Sequence, residues 1–496
     1  MRLLHAYTFA LQEFAENEIP PYAILSHTWE KDEVSFQDMQ EGGLVRKEGY
    51  RKIKYACAQA LSEKLDYVWV DTCCIDKRSS SELSEAINSM FQWYRKAQTC
   101  YAYLVDVPPT NTPQSPNSPF CRSRWFTRGW ALQELIAPRN VYFHSKDWTY
   151  LGSKGQLSAT ITDITGIDEA SLSGGNLREA SVARKMSWAS KRVTTRKEDL
   201  AYCLLGIFGV NMPMLYGEGS KAFMRLQEEI IKESDDQSLF AWYFDERDWF
   251  TSISGVLANS PAAFALSGNI LPCKTWSTSF PPSMTSKGLR IELPLYYHLS
   301  DPEKKMPFGL LSCQVENNFF DVLALPLCKR PTAKDEFSRA GMPIQVPETQ
   351  SKNIELATIY IGKLPPLSIF PGDNRRDSFL VRRLLNPNSK HGYRLVEVYP
   401  SRGWNPTRRI ISTYFASEGW LEMQVLMHFA ADKPSSLKKP DFIVEVEFVL
   451  RKYKVDDPTK PDDSRAQCGV AVKPDWVSLQ KLYEEKNVYL TKRGAK

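Results

Sequence analysis

The stretch "YAILSHTW" (22–29) opens the part of the chain whose pattern decides the fold. Its short apolar run follows two prolines and predicts a buried β-strand. The next stretch, "GYRKIKYACAQALSEKL" (49–65), places its apolar residues on one helical face. After it, "DYVWVDTCCID" (66–76) predicts a second short strand that stops at Asp71. Together these segments predict a strand–helix–strand unit.

The same alternation continues towards residue 150. Residues 80–97 open with a serine cap and an acidic first turn, which indicate the start of a helix. Residues 99–107 predict a third strand, residues 123–138 a helix, and residues 140–145 a fourth strand. Alternation of this kind predicts an α/β fold, a parallel sheet with helices on both faces.

The pattern changes twice further along the chain, so we expect three domains. An α/β domain would span 1–155, and a helical extension packed on it would span 156–245. Residues 246–496 would form a mostly antiparallel, β-rich C-terminal domain, built as a sandwich or barrel. Its short predicted strands are parted by Pro, Gly and charged residues, and they lie at 288–297, 308–315, 319–327, 357–364, 393–400, 421–430 and 441–455.

Composition limits the possible functions. The formal net charge of +5 is small for 496 residues and no dense basic block occurs, so we expect no nucleic-acid partner. No apolar run of about 18 residues exists, which predicts no membrane span. The ten cysteines contain no CxxC pair and suggest reduced thiols in the cytoplasm. The six histidines never form a ligand pair at helical spacing, so we expect no metal site and no bound cofactor.

Three segments resemble, in sequence and order, the signature blocks of the fungal heterokaryon-incompatibility (HET) domain. They are "YAILSHTW" (22–29), "VWVDTCCIDK" (68–77) and "RGWALQEL" (128–135). Residues 198–231 resemble the helical continuation common in these proteins. Many family members also have a nucleotide-binding module, but the chain has no GxxxxGK[ST] motif.

The resemblance implies a cytoplasmic role in vegetative incompatibility, a fungal response to nonself that follows fusion of genetically different cells. Proteins of this kind promote programmed cell death of the fused compartment. The expected partners are other HET or incompatibility proteins, and self-association through the HET domain is expected as well. The β-rich region has no visible catalytic constellation, so recognition or autoinhibition is its expected use.

A more distant resemblance links the HET domain to Toll/interleukin-receptor (TIR) domains. In plant-type TIR domains a helix with Trp-Cys, followed three residues later by Glu, cleaves NAD. The segment "GWALQE" (129–134) matches at Trp130 and Glu134, with Ala131 in place of Cys. This resemblance assigns the catalytic carboxylate to Glu134 and makes NAD the expected substrate.

Elementary chemistry is compatible with that assignment. Breaking the nicotinamide–ribose bond builds positive charge on the ribose, which a carboxylate stabilises. Trp130 is four residues before Glu134 and is expected on the same helical face, to stack the leaving ring, with Gln133 at the edge. Ligands of open α/β sheets bind at the carboxyl ends of strands. The other expected binding residues follow the first two strands and are Ser26, His27, Thr28, Trp29 and Asp71.

Simpler interpretations of these residues stay open. Glu134 would be merely structural if it paired with an arginine on a solvated helix, and the candidates are Arg124, Arg128 and Arg139. Trp130 would be a core residue, His27 a satisfied strand-end histidine, and Asp71 a turn cap.

Two functional alternatives also stay open. In a cysteine hydrolase, Cys73 or Cys74 would be the nucleophile and His27 or His144 the base. In a non-enzymatic adaptor, the HET domain would oligomerise to signal cell death without doing chemistry.

Overall fold

The computed structural model describes residues 1–364 except 43–46, 111, 176, 244–253, 274–275, 298–306, 331–334 and 348–353, and only strands beyond residue 364. The chain divides into two compact units. The first combines 1–245 with 253–366, and the second combines 246–252 with 367–496. The sequence predicts a domain boundary near residue 246, whereas the contacts join 253–366 to the unit that contains the N-terminus.

The first unit contains a seven-stranded sheet in the order β2-β1-β4-β3-β5-β6-β7. Its strands are β1 (Arg2–His5), β2 (Leu11–Glu13), β3 (Tyr22–His27), β4 (Tyr67–Val70), β5 (Thr99–Tyr103), β6 (Val141–His144) and β7 (Tyr150–Ser153). The four central strands, β4-β3-β5-β6, are parallel as predicted. Strands β1, β2 and β7, which lie outside these four, pair antiparallel and were not predicted.

Four helices accompany the parallel strands: α1 (Phe36–Glu41), α2 (Tyr50–Ser62), α3 (Ser80–Lys96) and α4 (Ala131–Ile136). The side chain of Ser79 caps α3 by accepting a hydrogen bond from the backbone N–H of Glu82. Right-handed crossovers put α2 on one face of the sheet and α3 and α4 on the other, because the chain reverses direction across the sheet after β4. The predicted helix 123–138 is shorter, with a 3-10 turn at Arg124–Thr127 before α4.

Short helices follow the sheet: α5 (Ser158–Thr165), α6 (Glu169–Leu172), α7 (Val182–Ala189), α8 (Asp199–Tyr202), α9 (Leu205–Phe208) and α10 (Lys221–Glu233). Their buried apolar side chains belong to the same hydrophobic core as those of the sheet. Helix α9 lies directly against α3. A Cβ at Gly206 would come within 2.0 Å of the Cβ of Phe91, so only glycine permits this approach.

The rest of the first unit is β-rich. Its strands are β8 (Ile270–Pro272), β9 (Ser283–Thr285), β10 (Gly288–Tyr296), β11 (Phe308–Leu310), β12 (Cys313–Val315), β13 (Asp321–Lys329), β14 (Glu336–Arg339), β15 (Ile344–Pro347) and β16 (Ile354–Ile361). The pairings β10–β16–β14–β13–β11–β10 close into a ring. This closure is barrel-like and leaves the ring without a free edge.

The second compact unit contains strands β17 (Ser378–Leu380), β18 (Tyr393–Tyr399), β19 (Trp404–Asn405), β20 (Ile410–Ser412), β21 (Trp420–Ala431), β22 (Phe442–Arg451), β23 (Arg465–Val472) and β24 (Thr491–Arg493). A five-stranded antiparallel sheet has the order β18-β21-β22-β23-β24, and a smaller sheet has the order β17-β20-β19. The β-rich character predicted for this part of the chain is therefore present. Within the described ranges, no helix has the length and hydropathy of a membrane span.

Candidate functional site

The candidate site lies where parallel strands β3 and β4 end. Strand β3 is the central strand, and all six of its residues are buried. The parallel strands follow the order second, first, third, fourth, so the order reverses beside β3. In open α/β sheets, ligands bind at the carboxyl ends of strands at such a reversal. Polar residues follow both strands at this edge, as the sequence predicts.

Glu134 belongs to a buried hydrogen-bonded chain of three side chains. The Ser26 hydroxyl, at the end of β3, donates to Oε2 of Glu134. The same hydroxyl accepts a 2.8 Å hydrogen bond from the indole N–H of Trp125. Ser26 and Trp125 have no solvent exposure, and Glu134 is 4% exposed. This chain fixes one carboxylate oxygen of Glu134 against the sheet.

Burial gives Glu134 an unusual acidity. Loss of solvation raises its pKa to about 7, and the charge of Asp71 acts in the same direction. Arg128 and the Ser26 hydroxyl lower the pKa and so oppose the effect of burial. Near neutral pH both protonation states of Glu134 are populated, as proton transfer requires.

His27 occupies the end of β3 with a fully buried side chain. Its Nε2 lies 3.8 Å from Oε2 of Glu33 and 3.7 Å from Oδ1 of Asp71. Burial and the positive charges of Lys52, Arg128 and Lys77 lower its pKa well below the usual value. At neutral pH His27 is therefore uncharged, and it offers one donor and one acceptor.

Several buried polar atoms at this edge have no hydrogen-bond partner. A buried polar atom without a protein partner is costly, so such atoms are available to hydrogen-bond water or a ligand. These atoms are both ring nitrogens of His27, Oγ1 of Thr28 and Thr72, Oε2 of Glu33, Oδ1 of Asp71 and Nε of Arg128. They lie on residues that follow β3 and β4 and on the segment before α4.

Trp29 forms the solvent side of the cluster. Its indole N–H donates a 2.7 Å hydrogen bond to Oδ2 of Asp71, and the residue is 42% exposed. This bond joins the residues after β3 to those after β4. The structure thus brings Ser26, His27, Trp29 and Asp71 to one edge together with Glu134.

Trp130 and Gln133 do not join this cluster through their polar groups. The Trp130 side chain donates a hydrogen bond to Asp199 at the start of α8. The Gln133 amide lies 3.2 Å from Sδ of Met90 on α3. The indole N–H of Trp130 is thus held by the helical extension, a contact that a local helical repeat does not reveal. The common helical face expected for Trp130 and Glu134 stays a prediction.

The sequence left open that Glu134 lies on a solvated helix. The structure contradicts this alternative, because all six residues of α4 are buried. Arg124, one of its suggested partners, pairs instead with Glu30 at 2.8 Å. The cysteine-hydrolase alternative is unfavourable at Cys73. Hydrogen bonding to Cys74 and burial raise the pKa of Cys73 well above its usual value, which opposes formation of the reactive thiolate.

The segment before α4 is held by the helical extension. The backbone N–H of Gly129 donates to the carbonyl of Val193 at 2.8 Å, and the N–H of Val193 donates to Thr127 at 2.7 Å. The buried Arg192 donates from Nη1 to the carbonyl of Arg128 at 3.0 Å. Residues 188–194 thereby fix the start of the helix that contains Glu134.

Sequence reasoning missed three charged residues of the site, Glu33, Lys52 and Lys77, and named a fourth, Arg128, only as a possible partner of Glu134. Lys52, on α2, forms a 2.5 Å ion pair with Oε1 of Glu33. Lys77 caps the Trp29 ring, and Arg128 lies near the same ring. Their positions in the sequence could have indicated two of these residues, because Lys77 ends the second signature block and Arg128 begins the third. Within the described residues, no group of three or more His, Cys, Asp or Glu residues has a metal-binding arrangement.

The geometry defines an open α/β protein with a buried, carboxylate-centred polar site at the carboxyl ends of its parallel strands. Comparison with known proteins is more specific. The profile of the family "Heterokaryon incompatibility protein (HET)" matches residues 22–116, and "Domain of unknown function (DUF8212)" matches 221–273. Residues 22–116 thus match the HET family, as the signature blocks within that range predict.

One curated relative is the vegetative incompatibility protein HET-E-1 of Podospora anserina. The two proteins are 48% identical over 230 residues, which is 45% of this chain and 17% of the relative. The chain therefore matches less than a fifth of the length of that relative. No solved structure matches the chain, so the likeness to TIR domains stays a prediction.

Proposed function

We propose that this protein acts in fungal vegetative incompatibility as a cytoplasmic effector of cell death, and that its HET domain cleaves NAD at the nicotinamide–ribose bond. The HET profile and the similarity to HET-E-1 support the incompatibility role. The observation that supports the chemistry is the buried Glu134, with a pKa of about 7, beside unpartnered polar atoms at the switch point of the sheet.

In the proposed reaction the C–N bond between ribose and nicotinamide breaks, and its electron pair goes to the nicotinamide nitrogen. Water adds to the ribose carbon and loses a proton, so the products are nicotinamide and ADP-ribose. Glu134 in its ionised form stabilises the positive charge that develops on the ribose. Ser26 orients that carboxylate through Oε2 and leaves the other oxygen for the sugar.

His27 and Asp71 contribute binding rather than charge stabilisation. The neutral His27 ring can exchange hydrogen bonds with a ribose hydroxyl, and Oδ1 of Asp71 is an unused acceptor. Trp29 takes the stacking role first assigned to Trp130, because its ring is partly exposed and held by Asp71. Thr28 offers an unpartnered hydroxyl, whereas Gln133 faces α3.

A second function, the non-enzymatic adaptor that self-associates with other HET proteins, is favoured by one observation. Glu134 is only 4% exposed. A substrate reaches so enclosed a carboxylate only if the segments around it move. In the adaptor, Glu134 would help to fold the domain and would not react.

The decisive experiment compares the wild-type chain with Glu134→Gln, which keeps the size of the side chain and removes its charge. We expect Glu134→Gln to lower the rate of nicotinamide release at least 100-fold, as the loss of a catalytic group does. The matched control is Glu85→Gln on the exposed side of α3, which should keep the wild-type rate. Nicotinamide and NAD are followed by chromatography in proteins with matching circular dichroism.

The same experiment separates the two functions. If the wild-type protein triggers cell death but leaves NAD intact, the enzyme is excluded and the adaptor is retained. If NAD falls at the same rate with Glu134→Gln, the assignment of the catalytic carboxylate is wrong.

A further inference from the structure

Each of the three signature blocks contributes one side chain to a small group at the solvent side of the site. The first block contributes Trp29, the second Lys77 and the third Arg128. Nζ of Lys77 lies 3.5 Å from the centre of the Trp29 ring, and the guanidinium carbon of Arg128 lies 5.5 Å from it. Two cations from separate elements thus converge on one aromatic ring.

These two cations differ from their neighbours in lacking an anionic partner. Around them Lys52 pairs with Glu33, Arg124 with Glu30, and Lys47 with Asp38. In the part of the chain that the structure describes, neither Lys77 nor Arg128 has an ion pair within 4 Å, and Nε of Arg128 is buried without a partner. A buried guanidinium N–H without an acceptor is costly, and an anion that reached this half-buried pair of cations would supply one.

Asp71 is the carboxylate with the largest electrostatic effect on Lys77. Asp71 attracts Lys77 electrostatically, but its Oδ2 accepts the hydrogen bond from Trp29 and its Oδ1 faces His27. Asp71 therefore orients the tryptophan through a hydrogen bond and forms no ion pair within 4 Å with Lys77 or Arg128.

Arg128 is also fixed in position, as a binding group should be. Its carbonyl accepts the hydrogen bond from Arg192, and the next peptide is bonded to Val193. Arg128 acts on Glu134 electrostatically, since it is the largest charge effect that lowers the pKa of that carboxyl. The group around Trp29 and the carboxylate are thus neighbouring parts of one site.

We propose that Lys77 and Arg128, arranged around Trp29, bind the diphosphate of a nucleotide. A guanidinium matches two phosphate oxygens at once, and an ammonium adds a point charge for the second phosphate. The exposed Trp29 ring offers a stacking surface for the adjoining base or sugar. This inference deepens the proposed function and rests on it, since NAD brings a diphosphate next to its nicotinamide ribose.

The test measures binding separately from cleavage, by titration calorimetry on the full chain with Glu134→Gln. The probes are ADP, which has the diphosphate, and adenosine, which lacks it. Lys77→Gln and Arg128→Gln should each weaken ADP binding about tenfold, the usual value of a charge-assisted hydrogen bond. Adenosine should bind more weakly than ADP and should respond little to either change.

Two further variants keep the result interpretable. Lys77→Arg preserves the charge and should restore most of the ADP affinity, which a purely structural role would not require. Lys54→Gln removes an exposed lysine from α2, away from the site, and should leave the affinity unchanged. The inference would be overturned if ADP binding were undetectable in the Glu134→Gln protein. It would also be overturned if adding Lys77→Gln or Arg128→Gln left the ADP affinity of that protein unchanged.

Failure of the two proposals can be distinguished. If ADP binds through Lys77 and Arg128 but the wild-type protein never cleaves NAD, the diphosphate site stands and the reaction is wrong. If NAD is cleaved while both substitutions leave ADP binding unchanged, the reaction stands and the diphosphate site is wrong.

Discussion

Two glutamates of the first compact unit are both buried, yet their pKa values are shifted in opposite directions. Glu134 is 4% exposed and Glu198 is 8% exposed. The pKa of Glu134 is raised to about 7, mainly by loss of solvation. The pKa of Glu198 is lowered by backbone N–H groups, those of Glu198 itself, Gly219 and Gly217.

The comparison shows that the hydrogen-bond donors around a buried carboxylate decide whether it is charged at neutral pH. Oε1 of Glu198 accepts N–H bonds from Gly217 at 2.8 Å and Gly219 at 2.9 Å, and both glycines have positive φ. These bonds replace the lost water and stabilise the anion. Glu134 receives its hydrogen bond from the Ser26 hydroxyl, which does not offset its burial. Glu198 therefore stabilises a turn, whereas Glu134 stays available for proton transfer.

The largest expected effect is a pH-dependent difference in stability between wild type and Glu134→Gln. The folded state holds the Glu134 proton up to about pH 7, while the unfolded state releases it near 4.5. The stability that Glu134 contributes to folding is therefore fully present below about pH 4.5 and is lost as the pH rises through about 7. The loss amounts to roughly 3 kcal/mol, at about 1.4 kcal/mol per pKa unit. Urea unfolding at about pH 5 and about pH 8 measures it.

Glu134→Gln should lack this part of the pH dependence, because the amide does not titrate. Groups elsewhere in the chain affect both proteins equally and cancel in the difference. Parallel stability curves for the two proteins across this range would show that Glu134 does not titrate as the structure implies.

A smaller effect is expected at the other glutamate. Glu198→Ala leaves the N–H groups of Gly217 and Gly219 without their acceptor and should lower the free energy of unfolding by about 2 kcal/mol. Glu198→Gln retains an oxygen and should lose about half as much. Denaturant unfolding at neutral pH checks both values, and equal stability of Glu198→Ala and wild type would contradict the structural role of this carboxylate.

The smallest expected effect concerns Ser26, whose hydroxyl stabilises ionised Glu134. Ser26→Ala removes that hydrogen bond, so the pKa of Glu134 should rise further. The pH window of the stability loss should move upwards, while stability at about pH 5 falls by only about 1 kcal/mol. The shift is read from the midpoint of the pH–stability curve, and a midpoint that moves down would refute the assigned donor.

Much of the fold could be predicted from the chain because its central elements have strong local patterns. Strands β3 to β6 are short apolar runs, and α3 combines a serine cap with regularly spaced apolar residues. Strands β1, β2 and β7 have three or four residues each and depend on distant partners, so their local pattern is weak. The compact unit that contains the N-terminus extends past 246 because the barrel-like strands bury apolar residues in the same core as the helices, which a change of local pattern does not reveal.

The candidate site was predictable only in part. Residues that follow strands, such as Ser26 and Asp71, were found because the ends of parallel strands meet at one edge. The hydrogen bond of Trp130 was not foreseen because its acceptor, Asp199, lies almost 70 residues later in the sequence. Lys77 was overlooked because its significance depends on Trp29, which lies on another loop.

The hydrogen bonds between residues 127–129 and 192–193 have a consequence for how this module can be inherited. The region that matches the family profile ends at residue 116, before Glu134, and the start of the helix that contains Glu134 is held by a segment almost 80 residues beyond that end. A recombination or gene fusion that transferred only the sheet would transfer the three signature blocks without residues 192–193, which hydrogen-bond to the start of α4. The part of the chain that must be transferred together is therefore longer than the signature blocks, and fusion partners should be tolerated after β16, the last strand of the first compact unit, rather than after β7.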